Sequence, residues 1–259
     1  MEAPKYEAET YVDARPVYPI DWFSMLADLT SDHSLAWDAG TGSGQAAVGV
    51  AKYYKHVIAS DISEDQLKHS LKHPHVSYVH TPLSTTNEEF LKLIAPENSV
   101  DLITVATALH HFDLESFYSL VNRMLKKPGG VIAAWTYNLV QVSPEFDPLI
   151  ERFCESSLPY QNPGVRYAFE CYKTIPFPFE SVGLGSEGHP KVLDMPKDMS
   201  FPGFLGLLRS WSAVKKAKDE GVELLSDKVI KEFQSAWGEP ELVRTVIYKT
   251  YMLAGKVKV

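Results

Sequence analysis

Between residues 35 and 137 short apolar runs alternate with longer amphipathic ones. Leu35–Ala39, His56–Ser60, His75–His80, Ser99–Ala106 and Val131–Trp135 have strand length, and the first, fourth and fifth are nearly all apolar. The stretches between them, Ser43–Tyr54, Ser63–Leu71, Asn87–Ile94 and Leu114–Leu125, place apolar residues at helical spacing. Ser63, Asn87 and Asp113 are suited to N-capping these helices, and Lys126-Lys127-Pro128-Gly129-Gly130 ends the last. Fully apolar strands separated by amphipathic helices predict an α/β fold, a doubly wound parallel sheet covered on both faces.

The flanks have another rhythm. Residues 5–33 read as helical, broken by the Arg15-Pro16-Val17-Tyr18-Pro19 corner, with Asp21 able to cap the helix after that corner. Residues 138–190 are rich in proline and aromatics, with one helix expected at Glu145–Ser157. Lys191–Met195 reads as a sixth strand, Phe201–Lys218 and Ser226–Trp237 as helices, and Leu242–Ala254 as a long final strand.

A chain of 259 residues suffices for one large domain or one domain with a cap. The formal charge of −8 argues against a sequence-independent nucleic-acid binder. The cluster Lys215, Lys216 and Lys218 runs straight into Asp219 and Glu220, so it reads as a solvated helix face. Cys154 and Cys171 form no metal pattern and are expected to be reduced thiols. The N-terminus lacks the character of a signal or transit peptide, and no apolar stretch reaches membrane-span length. These features give a cytoplasmic expectation, with no metal and no membrane partner; a homodimer stays open.

The chemistry concentrates at Leu35–Gln45, where a buried strand enters Asp38-Ala39-Gly40-Thr41-Gly42-Ser43-Gly44. Glycine at every second position admits positive φ and lets a ligand approach the backbone. The spacing is G-x-G-x-G rather than the G-x-G-x-x-G of dinucleotide binders, which disfavours a nicotinamide-dependent oxidoreductase. Asp61 ends the second strand 17 residues after Gly44, where an acceptor-only carboxylate suits a ribose diol. Its alternative role is capping the next helix.

This motif resembles motif I of the class I S-adenosylmethionine-dependent methyltransferases. Asp61, Thr81-Pro82-Leu83-Ser84, Ala106-Thr107-Ala108-Leu109-His110-His111-Phe112-Asp113 and Leu125-Lys126-Lys127-Pro128-Gly129-Gly130 fit the same pattern. The Arg15–Pro19 corner and Thr81–Ser84 resemble the type 11 group that includes trans-aconitate methyltransferases, in its plant branch. The resemblance implies a Rossmann-like, seven-stranded, mostly parallel sheet whose last strand is antiparallel, with a helical cap. It divides the chain into N-terminal cap helices (1–33), a cofactor-binding core (34–137), a cap insert (138–190) and closing strands with inserted cap helices (191–259).

It further implies S-adenosylmethionine as cofactor. Asp38, Gly40 and Gly42 would hold its methionine part, Asp61 the ribose, and Ile62 with Leu83 and backbone groups the adenine; Thr41, Gly44 and Ser84 are further cofactor-binding candidates, and Thr107 would pass beside it. The chain lacks the aspartate that many relatives place after strand three. His110 and His111 are the catalytic candidates, as base or as pocket wall, and Asp113 is the better helix cap. Arg15, Arg166 and Arg209 are candidate carboxylate clamps, with Arg15 also placed at the catalytic centre, and Tyr18, Tyr137 and Trp211 candidate substrate contacts. The expected activity is methyl transfer to a small molecule, with a carboxylate oxygen as acceptor. Nitrogen, phenol or carbon acceptors, and a repurposed member that transfers no methyl group, are the alternatives.

Overall fold

The computed structural model describes residues 17–239 and 241–258. They form two compact units: one of Val17–Tyr137, Tyr167–Leu193 and the chain from Thr250, the other containing Asn138–Arg166 and Asp194–Lys249. In chain order the elements are α1 (Ile20–Ala27), β1 (Leu35–Ala39), α2 (Gln45–Val50), β2 (His56–Asp61), α3 (Glu64–Lys68), β3 (Val76–His80), α4 (Asn87–Leu93), β4 (Leu102–Ala106) and α5 (Leu114–Met124). Next come β5 (Val131–Gln141), α6 (Asp147–Ser157), α7 (Arg166–Phe169), β6 (Glu180–Ser181), β7 (Lys191–Met199), α8 (Phe201–Arg209), α9 (Ser212–Asp219), α10 (Asp227–Trp237) and β8 (Arg244–Lys256).

The strands make one mixed sheet in the order β3-β2-β1-β4-β5-β8-β6, with β7 also on β8. The pairs β1–β2, β2–β3, β1–β4 and β4–β5 are parallel, and β6–β8 is antiparallel. This is the doubly wound α/β sheet that the alternation predicts, with eight strands because the two-residue β6 joins the seven expected. Strand order reverses between β1 and β4, so a ligand crevice is expected beyond their carboxyl ends. No helix among the described residues is long and apolar enough to cross a membrane.

The core of the first unit joins Trp37, Ile103, Val105, Ile132 and Ala134 of the sheet to Phe117, Leu120, Val121 and Met124 of α5. Asp101 fixes the entry of β1: its Oδ2 accepts from the backbone N–H of Ser34 and Leu35, and its Oδ1 lies 2.6 Å from Nζ of Lys126. In the second unit Phe146, Phe204, Phe233 and Trp237 pack as a ring cluster with centroids 5.0–5.7 Å apart. Phe204 is therefore core in the second unit, as Trp22 and Trp135 are in the first.

Several element boundaries differ from expectation. The expected helix Phe201–Lys218 is two helices: the Ser210 hydroxyl donates back to the Leu207 carbonyl and Trp211 turns extended. The cap of α4 is Thr86, in a reciprocal capping box with Glu89, in place of Asn87. The helix α1 starts after Pro19, and Asp21 lies in its first turn rather than capping it. The strand β5 runs on to Gln141, and β7 to Met199 through Pro196. Ser63 and Asp113 cap α3 and α5 as expected.

Candidate active site

The glycine turn leaves β1 in left-handed steps, with φ of +68° at Gly40, +56° at Gly42 and +86° at Gly44. A Cβ on Gly40 would lie 2.7 Å from that of Ala108, and one on Gly44 would overlap the Tyr78 hydroxyl. Two of the turn's glycines are therefore demanded twice, by conformation and by close neighbours. Tyr78 is held there by donating to the Leu71 carbonyl at 2.6 Å.

Asp38 is wholly buried beneath the turn. Its Oδ2 accepts from the Thr41 hydroxyl at 2.5 Å and its Oδ1 from the Thr104 hydroxyl at 2.6 Å. Burial pushes its pKa up to about 6 against these two bonds, and the charge of Asp61 adds to the rise. Both oxygens face protein hydroxyls, so the carboxylate braces the turn from below. Thr41 is the matching brace.

Asp61 sits half-buried at the carboxyl end of β2. Its Oδ2 accepts from the Gly42 N–H and its Oδ1 from the Ser63 N–H, both at 2.8 Å. It thus ties the glycine turn to the entry of α3, and it serves the helix junction as well as the site. Burial raises its pKa, opposed by the donating N–H groups of Ser63 and Gly42. An ionised carboxylate offers about four acceptor positions, so Asp61 retains acceptor capacity beyond these backbone bonds.

Beside it, Ile62 and Leu83 are large apolar side chains left 38% and 69% exposed. They come just after the neighbouring strands β2 and β3, where Asp61 pairs in register with His80. Two exposed apolar side chains and a carboxylate therefore follow or end neighbouring strands on one end of the sheet. Ser84 is exposed in the same loop. No sequence motif points to His80: its Nε2 lies 3.1 Å from the Ile62 carbonyl and its Nδ1 3.3 Å from Glu64, fixing the backbone beneath Ile62.

Beyond β4, Thr107 takes φ +54°, which is costly for a β-branched residue. Its N–H donates to the Trp135 carbonyl at 2.7 Å. The strained step carries the chain to Ala108 and Phe112, both against Gly40, and to the single-turn helix Leu109–His111 between them. The His110 and His111 rings lie 4.2 Å apart. Burial, aided by His111, pushes His110 down to about 3, so its ring is neutral near pH 7. His111 shows part of its ring to solvent and is also lowered, by burial of the rest. The Tyr172 hydroxyl, absent from every sequence motif, lies 3.1 Å from Nδ1 of His110.

Of the expected substrate residues, Tyr18 and Tyr137 belong to the same unit as this crevice. Tyr18 is buried with its ring 5.4 Å from that of Trp135, and Tyr137 is half-buried in β5. Arg166, Arg209 and Trp211 belong to the second unit; both arginines are exposed and Trp211 packs on Phe153 at 5.8 Å. Arg15 lies outside the described residues. Cys154 and Cys171 are not joined in a disulfide.

Comparison with known proteins agrees with this geometry. Residues 37–134, spanning β1 to β5, match a methyltransferase domain family. A methyltransferase of Dictyostelium discoideum is 30% identical over 258 residues, covering 96% of this chain and 92% of that protein. An S-adenosylmethionine-dependent methyltransferase of Saccharomyces cerevisiae is 32% identical over 148 residues, 54% of this chain and 47% of that protein. A solved type II methyltransferase of Anaeromyxobacter dehalogenans is 33% identical and superposes with a TM-score of 0.78 over 93% of this chain and 97% of that one. Fold, glycine turn and full-length likeness converge: the chain belongs to the class I S-adenosylmethionine-dependent methyltransferases.

Proposed function

We propose that this enzyme methylates a carboxylate oxygen of a small organic acid. The observation that carries the reading is the state of His110. A ring whose pKa is held near 3 is a poor proton acceptor for a phenol or an ammonium ion, whereas an ionised carboxylate needs no base. The attacking oxygen forms a bond to the methyl carbon as the carbon–sulfur bond breaks and its electron pair stays on sulfur. Such a displacement demands alignment above all, and positioning alone supplies much of the rate.

In this reading Gly40, Thr41, Gly42 and Gly44 shape the bed for the methionine part, braced from below by Asp38. Asp61 accepts the ribose hydroxyls, Ile62 and Leu83 flank the adenine with Ser84 beside it, and Thr107 passes along the cofactor. Tyr18 and Tyr137 are the core's candidates for substrate contact, and Arg15, Arg166, Arg209 and Trp211 stay candidates from sequence alone. The Thr81-Pro82-Leu83-Ser84 segment supports a place in the branch that resembles trans-aconitate methyltransferases. The charge of −8 favours a small molecule over nucleic acid as the acceptor.

The test is product analysis with a labelled methyl donor and a panel of acids, amines and phenols. Alkali-labile methyl esters are expected. Label that appears only on nitrogen, phenol oxygen or carbon would overturn the carboxylate assignment, and no transfer to any class would favour a repurposed fold.

A further inference from the structure

Tyr172 is wholly buried, yet it stands at the end of a strained corner. Cys171 and Tyr172 take φ of +59° and +56°, left-handed values that strain non-glycine residues. The corner closes α7. The Cys171 N–H donates to the Ala168 carbonyl at 2.9 Å and the Tyr172 N–H to the Tyr167 carbonyl at 2.8 Å. That is a Schellman closure with cysteine where glycine is usual. Ending a helix requires no tyrosine at the second left-handed position. Phenylalanine would fill the same space beside Tyr118 and Phe177 without burying a hydroxyl. The hydroxyl therefore has a task, and the partner it reaches is His110.

The surroundings set the direction of the proton. The phenol is wholly buried, and Nδ1 of His110 is the acceptor within hydrogen-bond reach of its hydroxyl. A buried hydroxyl proton left without an acceptor costs more than an unused lone pair, so the single phenolic proton goes to Nδ1 of His110, 3.1 Å away. A neutral imidazole carries one N–H. With Nδ1 accepting, that proton sits on Nε2.

We infer that Tyr172 is a positioning residue that donates its phenolic proton to Nδ1 of His110 and thereby holds His110 as the Nε2–H tautomer, a hydrogen-bond donor toward the methyl acceptor. The inference rests on the placement of His110 on the reacting side. It deepens that placement by giving His110 a role that moves no proton. An Nε2–H group binds and orients an anionic oxygen, and it cannot deprotonate a phenol from that nitrogen.

The experiment is a long-range proton–nitrogen correlation spectrum of nitrogen-15 histidine-labelled protein, with His110 assigned by its loss in His110→Asn. Between pH 6 and 8 the wild-type His110 is expected to show one neutral pattern, protonated at Nε2. In Tyr172→Phe it is expected to switch to the other tautomer or to a mixture of the two. A wild-type Nδ1–H pattern, or an unchanged pattern in Tyr172→Phe, overturns the inference. Should Tyr172→Phe not fold, replacing tyrosine with 3-fluorotyrosine keeps the shape and makes the phenol a stronger donor. The His110 Nδ1 resonance is then expected to move further in the hydrogen-bonded direction, and a stationary resonance overturns the inference equally. These spectra need no substrate, so an acid panel that yields no methyl ester overturns the carboxylate reading and leaves the tautomer result in place.

Discussion

At the scale of residues, one carboxylate under the turn and one beside it divide the labour. Asp38 is consumed by Thr41 and Thr104, whereas Asp61 keeps acceptor capacity after bonding Gly42 and Ser63. Asp61→Ala is expected to weaken S-adenosylmethionine binding about 10- to 100-fold, the loss of charge-assisted hydrogen bonds worth about 1.5–3 kcal/mol. Calorimetry measures it, and circular dichroism is expected to show the fold retained; unchanged affinity would remove Asp61 from the site. Gly44→Ala forces a left-handed alanine into the Tyr78 hydroxyl. It is expected to cost at least about 1–2 kcal/mol of stability from the backbone alone, read as a lower denaturant midpoint at constant slope. Both positions were legible in the sequence because motif chemistry is local. The partners of Asp38 were not, since Thr104 is 66 residues away and becomes its neighbour only by strand pairing.

At the scale of elements, the strands and helices from β1 to β5 track the apolar pattern closely because the central strands β1, β4 and β5 are buried on both faces, whereas β3 at the edge has no buried residue. Periodicity alone specifies them. Ends are another matter. The helix α4 starts one residue earlier in chemical terms than its sequence suggests, since the Thr86 hydroxyl and the Glu89 carboxylate satisfy each other's backbone N–H. Thr86→Ala is expected to cost about 1 kcal/mol and to lower Tm by roughly 2–4 °C, measured by calorimetry. The break at Ser210 was hidden for the same reason. Apolar spacing runs through it, and only the serine's bond to Leu207 and the extended Trp211 divide α8 from α9.

For the molecule as a whole, acid stability carries the signature of the site. His110 binds its proton only near pH 3 when folded but near 6.5 when unfolded. Over that window the unfolded state holds more protons, so stability rises with pH; acidification below about 6.5 erodes it and the loss is complete near 3. Asp38 acts oppositely. Its folded pKa of about 6 exceeds the unfolded 3.8, so its burial costs stability as pH rises through that range. In urea titrations between pH 4 and 6, His110→Asn is expected to flatten or reverse the rise of unfolding free energy with pH. An unaltered slope would show that His110 titrates normally in the folded chain.

The sequence by itself determined the sheet, its parallel core, the glycine turn and, through the family motif, the methyl donor. Those properties reside in local periodicity and in motifs of a few residues, which no distant contact needs to complete. Only the tertiary structure decided that Asp38 is a brace, that His80 and Tyr78 steady the turn and its neighbours, and that His110 is neutral and bonded to Tyr172. Each of these depends on which side chain burial brings beside which other. Tyr172 reaches His110 across 62 residues through a left-handed corner that no pattern in the sequence announces.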